Sequence, residues 1–273
     1  AILYAKYRPE KLMEHCKTYM KKLNTTKLLR ACQKFMLWKE AVYLYTHYNE
    51  YDQAITIMMD HSPTAFNHET YLQLISKVSN NDLYYKSISF YLEEQPLQVN
   101  ELLKTLVQKI DLVKCTNVIR KLGIVQLVEP FLRIVQQTNT KEVNEALNEM
   151  YLDTENYECL RESITQYPNF DSYSLAKATE GHHLLEFRRI AAFLYRKNGK
   201  YEQSINLSKK DEMYRDAIET AQEADNAKIV EELLKFFVEK KEKEFFSATL
   251  YTCYEYIRPD LVLEYAWRFN MYE

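Results

Sequence analysis

Glycine and proline are scarce in this 273-residue chain, which contains three glycines and six prolines. The turns of β-sheet proteins and the phosphate-binding loops of α/β proteins depend on these residues for their backbone angles. Their scarcity therefore argues against both classes. Hydrophobic residues make up 47% of the chain, which is enough for a substantial core. The composition predicts that nearly all of the chain is helical.

Long apolar runs are also missing. No uninterrupted apolar segment approaches the roughly 20 residues that cross a bilayer, and the first residues, AILYAKYRPEK, lack the apolar core of a signal peptide. We therefore expect a soluble, intracellular protein without direct membrane insertion. The chain starts inside a helical pattern and stops without a cap, which we interpret as the mark of a segment of a longer protein.

Arrangements of residues that would support catalysis or metal binding are absent from the sequence. The five cysteines are widely spaced and form no C-x-x-C pair, so neither a disulfide framework nor a zinc site is predicted. His182 and Glu186 lie one helical turn apart but no further ligand is indicated, so the favoured interpretation is a polar helix start. No nucleophile with a nearby base is evident. We expect no enzyme activity, no cofactor and no metal.

One pattern recurs after 150 residues. The letters FLY, five further residues and then Tyr201 match YLY, five further residues and then Tyr51. A shorter pattern, Tyr-x-x-(Ala/Ser)-Ile, places a ring, a small residue and an aliphatic residue within about one helical turn. It occurs at residues 51–55, 84–88, 201–205 and 214–218.

Brief polar or Gly/Pro-containing breaks predict helices of about ten to fifteen residues. Asn198-Gly199 is typical of a left-handed helix end, and residues 124–137 are interpreted as one helix around Pro130. No linker divides the chain. These patterns predict an all-α fold, an α-solenoid of stacked antiparallel helical hairpins in which each pair packs on its neighbours. Scaffolding or binding is the function that such a fold suggests.

Charge is unevenly distributed, although the net charge is only −3. Residues 1–39 contain ten Lys/Arg and two acids, residues 186–210 seven basic and two acidic residues, and residues 211–244 six basic and eleven acidic residues. Such blocks favour complementary partners, whereas a solvated helix face is the ordinary interpretation of any single lysine. Nucleic acid is not expected, because no recognition motif is present and the pI is near 6.2.

Four segments carry a resemblance to a known family. They are LWKEAVYLYTHYNEYDQAI (37–55), NFDSYSLA (169–176), EFRRIAAFLY (186–195) and YTCYEYIRPDLVLEYAWRFNM (251–271). The segments follow one another in the same order as in the clathrin heavy-chain family, which the chain resembles along its whole length. The region of the family that it resembles is the proximal leg approaching the hub. The resemblance implies that residues 1–100 are the later part of one clathrin repeat, 101–246 the last full repeat, and 247–273 the approach to the trimerisation region.

The resemblance implies a structural coat protein on the cytoplasmic face of coated pits and coated vesicles, acting in endocytosis and intracellular transport. Its implied partners are the clathrin light chain, bound as a long helix, and other heavy chains in the triskelion and the lattice. The light-chain-binding candidates are Lys6, Arg8, Arg188, Arg189, Lys209 and Lys210, and the trimer-proximal candidates are Cys253 and Trp267.

Three points stay open at this stage. A second family lysine falls on Gln95, so that Lys86 or Lys104 would have to supply the missing contact unless the light chain differs. For Cys253, a structural role as a small buried hydrophobic residue is as well supported as a role at the trimer interface. The alternative function is a clathrin-repeat scaffold subunit of a vesicle-tethering complex.

Overall fold

The computed structural model describes residues 1–20 and 24–269 of the chain. The apolar pattern of residues 10–23 predicts a first long helix that ends at Leu23, and this end lies outside the described residues, as do the last four residues of the chain. Within the described ranges the secondary structure contains no β-strand. The α-helices are α1 Ile2–Tyr7, α2 Leu12–Tyr19, α3 Thr25–Lys34, α4 Trp38–His47, α5 Tyr51–Asp60, α6 His68–Ile75, α7 Asn81–Glu94, α8 Val99–Leu106, α9 Leu112–Leu122, α10 Glu129–Val135, α11 Lys141–Asp153, α12 Tyr157–Gln166, α13 Ser172–Thr179, α14 Leu185–Lys197, α15 Tyr201–Lys210, α16 Tyr214–Glu223, α17 Ala227–Lys240, α18 Lys243–Thr252 and α19 Pro259–Phe269.

The chain forms two compact units, Ala1–Leu147 and a second that begins at Asn148. In the first unit α3 packs on α4, α4 on α5 and α5 on α6. In the second, α13 packs on α14, α14 on α15 and α15 on α16. Because each helix contacts mainly its neighbours in the chain, the predicted all-α solenoid is confirmed. The unit boundary lies inside α11 and not at residue 100 or 246, so the division into repeats stays a prediction.

The hairpins that were predicted to repeat after 150 residues have the same backbone connection. α4 and α5 are joined by residues 48–50, and α14 and α15 by residues 198–200. The middle residues, Asn49 and Gly199, have φ of 61° and 70°. In both turns the third residue donates its N–H to a carbonyl five residues earlier, at 3.0 Å and 2.9 Å. This is the Schellman helix end, and it confirms the left-handed stop predicted at Gly199.

The same Schellman helix end also occurs at positions where the left-handed residue is not glycine. Met36, Glu155, Glu212 and Lys241 also have φ between 56° and 61°, and the residue after each donates to the carbonyl five residues earlier. A non-glycine residue in this conformation costs about 1–2 kcal/mol. Backbone hydrogen bonds to helix carbonyls that would otherwise lack a partner offset this cost. The joints between these helices therefore share a backbone conformation and its hydrogen bond, but they do not share a residue type.

The Tyr-x-x-(Ala/Ser)-Ile pattern marks packing positions, as predicted. Its small residues, Ala54, Ser87, Ser204 and Ala217, are at most 1% exposed, and all four isoleucines are buried. Ser204 Oγ donates to Ala192 O of the preceding helix at 2.8 Å. A small residue at this position lets two helix backbones approach each other, while the neighbouring ring and isoleucine fill the space beside them.

One helix was predicted wrongly. The segment expected to be helical from Ile124 to Gln137 begins with a turn, and α10 starts only at Glu129. Pro130 lies in the first turn of α10, where its missing N–H leaves no helical hydrogen bond unmade. Pro130, which the sequence analysis placed inside a helix, therefore lies at the start of one. No helix in residues 1–20 or 24–269 is both long enough and apolar enough to span a membrane.

Candidate interaction sites

The amino-terminal basic candidates, Lys6 and Arg8, are exposed at the end of α1. Lys6 Nζ lies 4.9 Å from the centre of the Tyr7 ring, and Arg8 donates its backbone N–H to Tyr4 O at 2.9 Å. Within the described ranges, no carboxylate forms an ion pair with either side chain. Leu3, one turn before Tyr7, is also exposed. Two cations and two apolar side chains are thus presented together to solvent.

Arg188 of α14 is held by three oxygen atoms of its own unit. Its Nε donates to Asp211 Oδ2 at 2.7 Å, and its NH1 group donates to the carbonyl oxygens of His182 and His183 at 2.8 Å each. The two ionic side chains are only 21% and 8% exposed. Arg188 therefore fixes the turn that precedes α14 to the residue that follows α15, and its guanidinium is not available to a partner without breaking these bonds.

Two further arginines of α14 pair with α16. Arg189 forms a bidentate contact with Asp216, through Nε at 2.7 Å and NH2 at 3.1 Å. Hydrogen bonding to Asp216, followed by the charge of that carboxylate, raises the pKa of Arg189. Arg196 contacts both Glu219 and Glu223 at 3.4 Å. All these contacts join residues 23 or 27 positions apart.

These ion pairs change the interpretation of the two charge blocks. The basic block of residues 186–210 and the acidic block that follows were taken to favour a complementary partner. The first block instead finds much of its complement in the second, inside one compact unit. Sequence reasoning singled out Arg188 and Arg189 but missed their acidic partners, and it did not single out Arg196. A search for arginine and acid at both 23 and 27 residues of separation would have indicated them.

The lysines at the end of α15 have different environments. Lys209 is half-buried, with its Nζ 5.0 Å from the centre of the Phe236 ring, and burial lowers its pKa. Lys210 is exposed. Of the four candidates in residues 186–210, only Lys210 therefore presents its charge freely to solvent. The assignment of all four to light-chain binding stays a prediction.

Gln95, which replaces a family lysine, caps α7 and donates its backbone N–H to Tyr91 O at 2.9 Å. Its side chain is half-buried and precedes Pro96 and the exposed Leu97. Lys86 and Lys104, the predicted substitutes, are exposed on α7 and α8. Both are thus available for a contact, which stays a prediction.

Cys253 lies at the end of α18 inside the core of the second unit. The thiol is 1% exposed, and burial raises its pKa. Val262 and Tyr265 of α19 pack against the same core. The buried-hydrophobe interpretation therefore describes the local environment of Cys253 in this chain, while its trimer-proximal role stays a prediction.

Trp267, the other trimer-proximal candidate, lies on the outer side of α19. It is 86% exposed, and Leu263, one turn earlier, is 70% exposed. The exposed rings of Tyr251 and Tyr254 shortly precede α19 in the chain. Large apolar side chains exposed one turn apart are typical of a surface that another helix covers.

A histidine cluster lies at the start of α14. Glu155, His182 and His183 each place one ligand-type atom within 4.8 Å of the others. His182 Nδ1 already accepts a hydrogen bond from the Leu184 N–H at 3.1 Å, at the cap of α14. In a neutral ring this bond places the proton on Nε2, which removes that nitrogen as a metal ligand. The geometry therefore fits the polar helix start that the sequence indicated.

Comparison with known proteins first defines the class of this fold. The family model described as "Clathrin: Region in Clathrin and VPS" matches residues 1–99 and 103–245. The chain therefore belongs to this clathrin family of helical repeats.

Curated relatives narrow the resemblance further. The chain is 50% identical over 271 residues to the clathrin heavy chain of Dictyostelium discoideum, 48% over 270 residues to clathrin heavy chain 1 of Oryza sativa subsp. japonica, and 44% over 271 residues to clathrin heavy chain 2 of Homo sapiens. Each alignment covers 99% of this chain and 16% of the relative. The resemblance to clathrin heavy chains is confirmed, and the chain spans about a sixth of their length.

Proposed function

We propose that this chain is a proximal-leg segment of a clathrin-type coat protein, which acts as a structural element in vesicle transport and endocytosis on the cytoplasmic side of coated membranes. The observation that carries the proposal is the collinear identity of 44–50% to clathrin heavy chains along almost the whole chain. A solenoid of paired helices supports a mechanical role, because its stacked pairs present a long surface for many modest contacts.

We further propose that the amino-terminal basic surface, formed by Leu3, Lys6, Tyr7 and Arg8, binds a light chain. Exposed apolar side chains beside two cations without ion-pair partners in the described ranges suit an amphipathic helix with an acidic rim. In the second unit, Lys210 is the candidate whose charge is most accessible. Binding through Arg188 or Arg189 would require their ion pairs to Asp211 and Asp216 to break.

At the other end, we propose that Trp267 and Leu263 of α19 lie near the trimerisation region. Their exposure leaves an apolar stripe that a further helix or a neighbouring leg would cover. The matched ranges 1–99 and 103–245 support the proposed repeats at 1–100 and 101–246, with residues 247–273 leading out of the last repeat.

A second candidate function is a scaffold subunit of a vesicle-tethering complex. The family description names VPS proteins together with clathrin, which supports this second candidate. The two functions differ in their assembly: the first requires light-chain binding and a trimer, whereas the second requires neither.

Light-scattering mass measurements on the chain extended through the hub helix distinguish the two functions. We expect a trimer whose mass rises on addition of a clathrin light chain. A monomer whose mass does not respond to the light chain would favour the tethering role.

Calorimetry at low salt tests the proposed surface. Lys6→Glu with Arg8→Glu should weaken light-chain binding at least tenfold. The matched control is Lys34→Glu with Lys121→Glu, which makes the same change of charge at exposed positions of the same unit. If both double variants weakened binding equally, the effect would be one of net charge alone. If the variant with Lys6→Glu and Arg8→Glu kept its affinity, Lys6 and Arg8 would not belong to the site.

A further inference from the structure

The second compact unit contains a groove of about 390 Å³ to which four helices, α12, α14, α15 and α16, contribute. This volume lies within the range of about 300–1,000 Å³ that is typical of ligand pockets. The apolar part of the lining includes the buried side chains of Ile164 and Ile190 and the rings of Tyr157 and Phe193, which are each 37% exposed. One bulky apolar side chain of a ligand would find matching surface here.

The charges around the groove largely neutralise one another, but two lining residues, Arg161 and Glu186, take part in no ion pair among the described residues. Arg189 pairs with Asp216 and Arg196 with Glu219, so four of the six charged lining residues form ion pairs across the groove. Arg161 of α12 is exposed and, among residues 1–20 and 24–269, has no carboxylate within ion-pair distance. The remaining charge on the rim, Glu186, acts on Arg189. Arg161 is therefore the cation available to a ligand.

Hydroxyl groups supply the polar part of the lining. Ser204 and Thr220 donate to the backbone oxygens of Ala192 and Asp216 at 2.8 Å and 2.7 Å, and both residues are buried, at 1% and 2% exposed. Ser208 is fully buried, and its Oγ finds no partner in the part of the chain that the structure describes. Buried polar groups are rarely left unpaired. These hydroxyl groups therefore lie beneath the surface of the groove, and the polar groups open to a ligand are the charged side chains of its rim.

We propose that this groove binds a short acidic peptide segment of a partner protein, with one bulky apolar side chain against the exposed rings of Tyr157 and Phe193 and an adjacent carboxylate on Arg161. A basic segment is disfavoured, because Asp216 and Glu219 already pair with arginines and the charge of Glu186 acts on Arg189. The site lies in the second unit, away in sequence from Lys6 and Arg8, so the proposal does not depend on light-chain binding at the amino-terminal surface.

Fluorescence anisotropy with the full 273-residue chain tests the site. The probe is a fluorescein-labelled peptide Gly-Ser-Phe-Asp-Glu-Ser-Gly, compared with one peptide in which Ala replaces Phe and another in which Lys-Lys replaces Asp-Glu. We expect saturable binding of the first peptide, at least tenfold tighter than that of either control. Arg161→Glu should weaken this binding at least fivefold. Arg215→Glu, an equal charge change at an exposed position of α16 outside the groove lining, should leave it unchanged.

Three results would overturn the proposal. The first is the absence of saturable binding by the acidic phenylalanine peptide while circular dichroism shows a folded chain. The second is equal affinity for the three peptides, which would show that neither the ring nor the charge is recognised. The third is equal weakening by Arg161→Glu and Arg215→Glu, which would show attraction by net charge without a groove.

Discussion

Two ion pairs of similar distance but different burial allow a sharp test of what stabilises the second unit. Arg188–Asp211 and Arg189–Asp216 both join α14 to a later part of the chain with an Nε–Oδ2 distance of 2.7 Å. The first pair is 21% and 8% exposed, and the second is 45% and 25% exposed. We expect Asp211→Asn to destabilise the chain more than Asp216→Asn, even though the second pair is bidentate.

The expected magnitudes follow from solvent exposure. A hydrogen bond to a charged group contributes about 1.5–3 kcal/mol when water is largely excluded, which gives about 2 kcal/mol for Asp211→Asn. Arg188 keeps its bonds to the carbonyls of His182 and His183, so the full cost of an isolated buried charge is not reached. An ion pair exposed as far as Arg189–Asp216 is screened by water and contributes about 0.2–1 kcal/mol.

Urea unfolding of the single and double variants measures these differences. Double-mutant cycles with Arg188→Met and Arg189→Met isolate each pairwise coupling. We expect raising the salt from about 0.1 M to 1 M, which shortens the Debye length from about 10 Å to 3 Å, to reduce mainly the coupling of Arg189 to Asp216. An equal or larger coupling for Arg189–Asp216, or equal salt sensitivity of the two pairs, would refute the argument from burial.

Two further predictions concern backbone and thiols. Gly199→Ala should lower the free energy of unfolding by about 1 kcal/mol, because Gly199 has φ of +70° while an added Cβ meets no atom within 4 Å. Gly181 has no positive φ and equally open space, so Gly181→Ala should leave the free energy of unfolding unchanged or raise it slightly. Thermal melts of both variants measure the difference, and equal losses of stability would contradict the conformational explanation. Burial raises the pKa of the Cys32 thiol to about 12. The buried neutral thiol therefore contributes its full stabilisation below the ordinary thiol pKa near 9, and this stabilisation is lost as the pH rises towards 12. Between pH 8 and pH 11 the urea midpoint should therefore fall, and it should fall less in Cys32→Ala; an equal fall would assign the effect to other groups.

Local sequence patterns anticipated the fold because they describe contacts between neighbours. The Tyr-x-x-(Ala/Ser)-Ile pattern and the 150-residue repeat both report helix packing within one or two hairpins, and both were confirmed. The helix predicted from residue 124 to residue 137 was wrong, because Pro130 fits both a kink and a first turn. Only the backbone on its amino-terminal side, which forms a turn, decides between the two.

The interaction sites were harder to anticipate because charge alone does not say where a partner lies. Lys6 and Arg188 look equivalent in the sequence, yet one is exposed and the other is bound to Asp211 and two carbonyls. The proposed groove likewise depends on helices that are distant in sequence, since Arg161 and Ser208 contribute to one lining. Periodicity predicts which face of a helix is buried but not which charges remain available.

The joints between the helices have a consequence for how the chain tolerates mutation. Their hydrogen bonds run from backbone N–H to backbone C=O, as in Glu50 to Tyr45 and Lys200 to Tyr195. A side-chain substitution leaves these atoms in place, and only proline removes the donor. Asparagine, methionine, glutamate, lysine and glycine all occupy the left-handed position. These turns therefore accept several residue types at the left-handed position, at a cost of about 1–2 kcal/mol for a residue other than glycine, while the backbone geometry of the joint persists.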